Sequence, residues 1–207
     1  HLYINDSQVT GHSVVPRWTP IHKELEFQAF DVTNAFKVGT NVIGISVSEG
    51  RYRGTLGFTN KRAQYGESLA CFAQIELLLA DGSSISLTTD ESWQVGKGQI
   101  LSADPMTGEI VDARVDERTW LLPGGNVIDS LHARVSESPS SELICESVER
   151  VRDVQRLRAT VLKSRPGSQL IDFGQNFSGV VKVRLHGPSG SVVKLRYSEV
   201  LTPDGER

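Results

Sequence analysis

LACFAQIELLL (residues 69–79), the dipeptide Asp81-Gly82 and SISLT (residues 84–88) decide the fold. Two apolar-rich runs flank a turn dipeptide whose glycine tolerates positive φ, and together they predict a β-hairpin. The same signature recurs on both sides. Upstream, residues 24–30 (ELEFQAF) alternate polar and apolar side chains, and residues 42–47 (VIGISV) are rich in β-branched residues. Downstream, residues 180–186 and 191–197 alternate around Gly187-Pro188-Ser189-Gly190, which predicts a second hairpin. Strands bounded by turn signals at this density predict an all-β fold rather than parallel α/β layers. The expected architecture is a jelly-roll-like antiparallel β-sandwich.

One short segment, residues 31–37, reads either as a brief helix or as a turn. Asp31 or Thr33 is available as a cap and Gly39 as a stop. Composition shifts at residues 122–141, where Pro123-Gly124-Gly125 and SESPSS (residues 136–141) have linker character. This divides the chain into a main domain over residues 1–122, a linker over 123–142, and a second β-sandwich segment over 143–207. That second segment is expected to be incomplete, with strands whose partners lie further along.

Composition narrows the partners. The 207 residues are 38% hydrophobic and 23% charged, with a net charge of −3 and a pI near 6.0. That balance argues against nucleic acid and anionic membranes as partners. Arg150, Arg152, Arg156 and Arg158 are interleaved with Glu146, Glu149 and Asp153, the pattern of a solvated connecting segment. Apolar runs such as Leu77-Leu78-Leu79-Ala80 fall far short of the ~20 residues that span a bilayer. Cys71 and Cys145 have no metal-ligand spacing, and Cys71, in an apolar run, reads as a small buried residue. Neither cysteine usage nor the start at His1 indicates a compartment.

Several ordered motifs carry a resemblance. They are Leu2-Tyr3-Ile4-Asn5-Asp6 with Val15-Pro16-Arg17-Trp18-Thr19, Phe30-Asp31-Val32-Thr33 with Gly39-Thr40-Asn41, and Gly50-Arg51-Tyr52-Arg53-Gly54 with Tyr65-Gly66. Thr89-Asp90-Glu91-Ser92-Trp93 follows, then Gly108-Glu109 with Asp112-Ala113-Arg114. Beyond the linker come Asp172-Phe173-Gly174-Gln175-Asn176, Tyr197-Ser198-Glu199 and Asp204-Gly205. In this order they resemble the N-terminal accessory region of bacterial-type α-L-rhamnosidases and the start of the next β-domain. The resemblance implies a parent enzyme that hydrolyses terminal α-L-rhamnosides with inversion, in a helical barrel expected C-terminal to Arg207. Its partners would be that catalytic domain and rhamnose-containing glycans. No catalytic residue carries over, because nothing here resembles the barrel's carboxylate motifs.

Two sets of residues are candidates for binding. Arg51, Tyr52, Arg53, Arg62, Tyr65 and Glu67 lie in the most glycine-punctuated, loop-like stretch. Aromatic faces and charged groups together suit a sugar. The alternative is structural: Tyr52 and Phe58 pack under the loop and the arginines pair with neighbouring acids. The resemblance implies tryptophan where this chain has Arg51. Asp104, Glu109 and Asp112 concentrate hard oxygen ligands and are candidates for calcium. The alternative there is a turn with Asp112 paired to Arg114 or Arg118.

The remaining features carry less. His12, His22, His132 and His186 have no metal spacing, and no serine sits in G-x-S-x-G. Trp18, Trp93 and Trp120 read as core or inter-domain packing, and Gly174 as the pivot of a bend. Three functions remain open. They are a docking module of a rhamnosidase, a lectin-like module in its own right, and an accessory domain of a β-galactosidase-type enzyme.

Overall fold

The computed structural model describes residues 1–11, 15–58, 60–116 and 119–202. His12, Arg118, Asp204 and Gly205, named above, lie outside the described residues. The chain divides into two compact units, His1–Val151 and Arg152–Arg207.

The first unit opens with β1 (Leu2–Ile4) and β2 (Ser7–Gln8), followed by β3 (Glu24–Phe27) and β4 (Ile43–Ile45). A one-turn helix, α1 (Gly50–Arg53), precedes β5 (Gln74–Leu78), β6 (Ser84–Thr88) and β7 (Gln94–Lys97). β8 (Ile100–Asp104), β9 (Gly108–Val111), β10 (Ile128–His132) and β11 (Glu142–Cys145) complete it. The second unit holds β12 (Thr160–Arg165) and β13 (Ser168–Asp172). The class is all-β, as expected.

The deciding hairpin forms around Asp81-Gly82, as expected. β5 and β6 pair antiparallel with Ile75 opposite Leu87 and Leu77 opposite Ile85. Ile75 and Leu77 are half-buried between exposed neighbours, the alternation of a one-sided strand. Gly82 takes φ +83°, and Asp81 Oδ1 accepts the Ser83 N–H at 2.9 Å. Residues 31–37 resolve to a 3₁₀ turn at Thr33–Ala35, with Asp31 accepting the Thr33 N–H at 3.0 Å.

β1 lies at the centre of a three-stranded sheet, ordered β2-β1-β4. Asn5 leaves β1 at φ +55° and is buried. Its amide donates to Ala35 O at 3.0 Å and Asn41 Oδ1 at 3.1 Å, while its own Oδ1 accepts the Val42 N–H at 3.1 Å. Two motif asparagines thus latch the β1–β2 turn to the 37–41 loop. Over this sheet, Tyr3 sits opposite Gly44 and meets Trp120 edge-on at 5.7 Å. Among the described residues the buried apolar side chains are Ile4, in β1, and Leu121, beside Trp120.

Four expectations need correction. Residues 123–142 hold β10, which pairs antiparallel with β7, and β11 begins at Glu142. β11 pairs in parallel with β3, Leu143 opposite Leu25 and Cys145 opposite Phe27, within an otherwise antiparallel set. The first unit therefore runs through Val151 instead of stopping at 122, because glycine, proline and serine report local flexibility and not the strands they connect. Arg150 stays exposed, as the mixed-charge reading expects, and there it stacks over Phe30 at 4.2 Å, donates to Ala29 O at 2.8 Å and pairs with Glu146.

Cys71 is exposed instead of buried, although partial desolvation raises its thiol pKa. In the second unit, residues 180–197 form only a turn at Pro188–Ser191 and no ladder. Val180, Leu185 and Val192 stay exposed there. An amphipathic hairpin with no third strand is marginal.

Gly44 admits nothing larger. A Cβ there would stand 2.1 Å from Trp120 Cζ3 and 2.9 Å from Leu121 Cδ2. Gly44→Ala is expected to lower stability by about 1–3 kcal/mol through overpacking, read as a reduced urea midpoint. An unchanged midpoint would mean that Trp120 is free to move aside.

Candidate functional site

The sugar candidates gather around α1. Glu49 precedes that helix and is buried. Its Oε1 accepts from Arg53 Nη2 at 2.9 Å, and Arg62 Nη2 lies 3.6 Å away. Its Oε2 accepts the Ala103 N–H of β8 at 2.9 Å. Burial pushes this carboxyl's pKa up, but the Ala103 N–H and Arg53 outweigh it and the net shift is downward. Two residues past the helix, the Thr55 N–H donates to Asp104 Oδ2 at 2.7 Å. α1 is thereby tied to β8 at both ends. Gly54 is required between the ties, since a Cβ would stand 2.1 Å from Gly50 O.

Trp18 is the residue this scaffold presents. Its neighbours are anchored to β3: Arg17 forks onto Glu26 at 3.0 and 3.3 Å, and Thr19 Oγ1 donates to Glu24 O at 2.8 Å. Trp18 between them is 50% exposed, so it is no core residue. Arg51 brings its guanidinium carbon 5.3 Å from the centre of the Trp18 ring, a cation–π contact. Tyr52 stacks with Tyr65 at 6.5 Å and 22°, and Tyr65 with His22 at 6.5 Å and 12°. The result is an aromatic strip edged with arginines, half aromatic platform and half polar rim.

Five of the six sugar candidates meet here. The sixth, Glu67, contributes its carbonyl oxygen to Arg53 at a long 3.5 Å while its side chain stays exposed. Both sequence readings are partly realised. Arg53 and Arg62 do pair with an acid and Tyr52 is half-buried, but Phe58 is fully exposed and packs under nothing. Sequence reasoning missed Trp18, His22 and Glu49. The Glu49–Arg53 spacing of four residues was a legible signal; the approach of residues 18 and 22 to 51 and 65 was not.

The calcium candidates do not assemble. Asp104 is buried and accepts three backbone N–H groups, from Thr55, Met106 and Thr107 at 2.7, 2.8 and 3.1 Å. Glu109 pairs with Ala103, so its side chain lies on the sheet face opposite Asp104. Asp112 is gripped by Arg114 through two bonds of 2.8 and 2.6 Å. Among the described residues no three His, Cys, Asp or Glu side chains are grouped to hold a metal. Elsewhere on this unit a concavity of about 600 Å³ is lined by Tyr3, Asp6, Gln99, Arg114, Asp116 and Trp120. In the sequence, the Leu2–Asp6 and Asp112–Arg114 motifs and Trp120 drew attention to it.

The first unit is an all-β scaffold that presents a surface aromatic strip. Comparison with known proteins places it. Residues 1–155 match the family described as the α-L-rhamnosidase N-terminal domain. Residues 162–207 match the bacterial α-L-rhamnosidase concanavalin-like domain. The chain belongs to the α-L-rhamnosidase family.

An α-L-rhamnosidase of Streptomyces avermitilis is 36% identical over 205 residues, covering 98% of this chain and 20% of its own length. One from Formosa agariphila is 28% identical over 206 residues, covering 98% and 22%. Two solved structures share the β-sandwich fold. The native α-L-rhamnosidase of Aspergillus terreus has a TM-score of 0.78 at 32% identity, over 84% of this chain and 20% of that one. The S. avermitilis enzyme complexed with L-rhamnose has a TM-score of 0.77 at 32% identity, over 84% and 17%. The chain spans about a fifth of the length of the relatives it matches.

Burial raises Asp104's pKa, but the bonds from Met106, Thr55 and Thr107 overcome it and hold the carboxyl at about 2, below the ordinary 3.8. A lowered folded-state pKa means the contribution is complete above about pH 4 and lost as pH falls toward 2. Asp104→Asn is expected to cost about 2 kcal/mol at pH 7. It should also flatten the stability profile between about pH 4 and 2, measured by urea titration. An equal acid slope in wild type and variant would remove Asp104 from this role.

Proposed function

We propose that the chain is an accessory β-module of an enzyme that hydrolyses terminal α-L-rhamnosides, and that its Trp18–Arg51–Tyr52–Tyr65 face contacts the glycan. The ordered match of residues 1–155 and 162–207 to two successive rhamnosidase domains carries the first part. Inverting hydrolysis needs an acid and a base carboxyl roughly 6.5–9.5 Å apart, free to exchange protons. The buried carboxylates of Glu26, Glu49 and Asp104 have their oxygens committed to arginines and backbone N–H groups. They suit a scaffold better than proton transfer. The chemistry is assigned to a partner domain of the parent enzyme, against which this module docks.

The half-exposed Trp18 supports the second part. Residues 17 and 19 hold it outward, and a flat indole suits the C–H face of a pyranose. Arg51 occupies the neighbouring position on the strip, where a second aromatic ring would extend the platform. Calcium has no part in this reading, since its three candidate ligands lie apart.

Two measurements test it. The full gene product should hydrolyse p-nitrophenyl α-L-rhamnoside and release the inverted anomer first, seen by proton NMR, while this 207-residue chain gives no nitrophenol above background. Turnover by the chain itself would place the chemistry here. Calorimetry of Arg51→Trp with L-rhamnose should show affinity raised about three- to tenfold by the added ring. An unchanged titration would take position 51 out of the face.

A further inference from the structure

Around Trp18 the acids lie beneath and the guanidiniums on top. The Glu26 side chain is 0% exposed and holds Arg17, which is 46% exposed. The Glu49 side chain, 8% exposed, serves both Arg53 at 35% and Arg62 at 56%. Arg51 is exposed and packs on Trp18, with no carboxylate at ion-pair distance among the described residues. Three arginines therefore share two buried carboxylates while Arg51 has none, and in each pair the guanidinium is the partner that solvent meets. This positive excess stands on a chain whose net charge is −3, so it is a local feature of the strip.

The arrangement has a consequence for recognition. A neutral sugar laid on Trp18 would partly desolvate guanidiniums and return only ordinary hydrogen bonds. A sugar bearing a carboxylate would return charge-assisted, bidentate bonds to the same groups. Glu49 carries one negative charge and cannot neutralise both of its arginines, which reach the same oxygen while the other accepts the Ala103 N–H. The stacked Tyr52, Tyr65 and His22 extend the surface beyond one ring, room for more than a monosaccharide.

We infer that this face selects saccharides carrying a carboxylate, a uronic acid residue within a short oligosaccharide, over neutral ones. The inference rests on the reading of the strip as a glycan-contacting face and names the sugar class it takes.

Calorimetry on the full chain tests it with trigalacturonate, maltotriose as the neutral trisaccharide, and L-rhamnose. At about 20 mM NaCl, trigalacturonate should bind at least about tenfold more tightly than maltotriose, and about fivefold of that should vanish at about 300 mM. Arg51→Gln should weaken trigalacturonate about fivefold with the thermal midpoint unchanged, since Arg51 satisfies no buried group. Arg62→Gln should act in the same direction. Equal affinity for the two trisaccharides, or trigalacturonate binding indifferent to salt and to both variants, overturns the charge selection. Binding of maltotriose or L-rhamnose in that case leaves the glycan face standing. No heat with any saccharide removes the face and this inference together.

Discussion

Two buried carboxylates, Glu49 and Asp104, hold the functional surface to the scaffold. Each sits where an unpaired charge would be strongly unfavourable, and each is stabilised by donors that must then stay in place. Glu49 reaches across to the Ala103 N–H of β8, while Asp104, the last residue of β8, reaches back to the Thr55 N–H. The seven residues from 49 to 55 are pinned at both ends. A four-residue helix has no stability of its own. Its persistence here follows from those two side chains and from Gly54, which lets the backbone pass close to Gly50 O.

That clamp also decides what the surface shows. With the acids below, Arg53 and Arg62 rise above Glu49, and Arg51 is turned toward Trp18. Trp18 is fixed independently, by Arg17 on Glu26 and Thr19 on the Glu24 carbonyl. The strip is thus assembled from two rigid supports, β3 and β8, meeting over a short helix. Pre-positioned side chains give a binding face its geometry at little further entropic cost.

Much of the fold was legible, and for identifiable reasons. The alternation of residues 74–78 and the Asp81-Gly82 turn are local, and the hairpin they predict is the one that forms. The motif asparagines at 5 and 41 were legible as a pattern, but their meaning was not: they hydrogen-bond one another and join the β1–β2 turn to the 37–41 loop. Linker composition at 123–142 concealed β10, whose partner β7 lies some thirty residues earlier, and exposed strands with polar faces give a weak periodic signal. Residues 180–197 show the converse. Their alternation is strong, but without neighbouring strands it does not become a ladder.

The sequence by itself determined the all-β class, the deciding hairpin, the family, and five of the residues that meet at the candidate face. These rest on side-chain period, turn chemistry and ordered motifs, all of which act over short stretches of chain. Only the tertiary structure decided that Trp18 belongs to that face, that Glu49 and Asp104 hold it, and that Asp104, Glu109 and Asp112 do not converge on a metal. Each of those outcomes depends on which strand lies beside which, and on which face of the sheet a residue occupies. A single step in register reverses that face, and spacing along the chain does not record it.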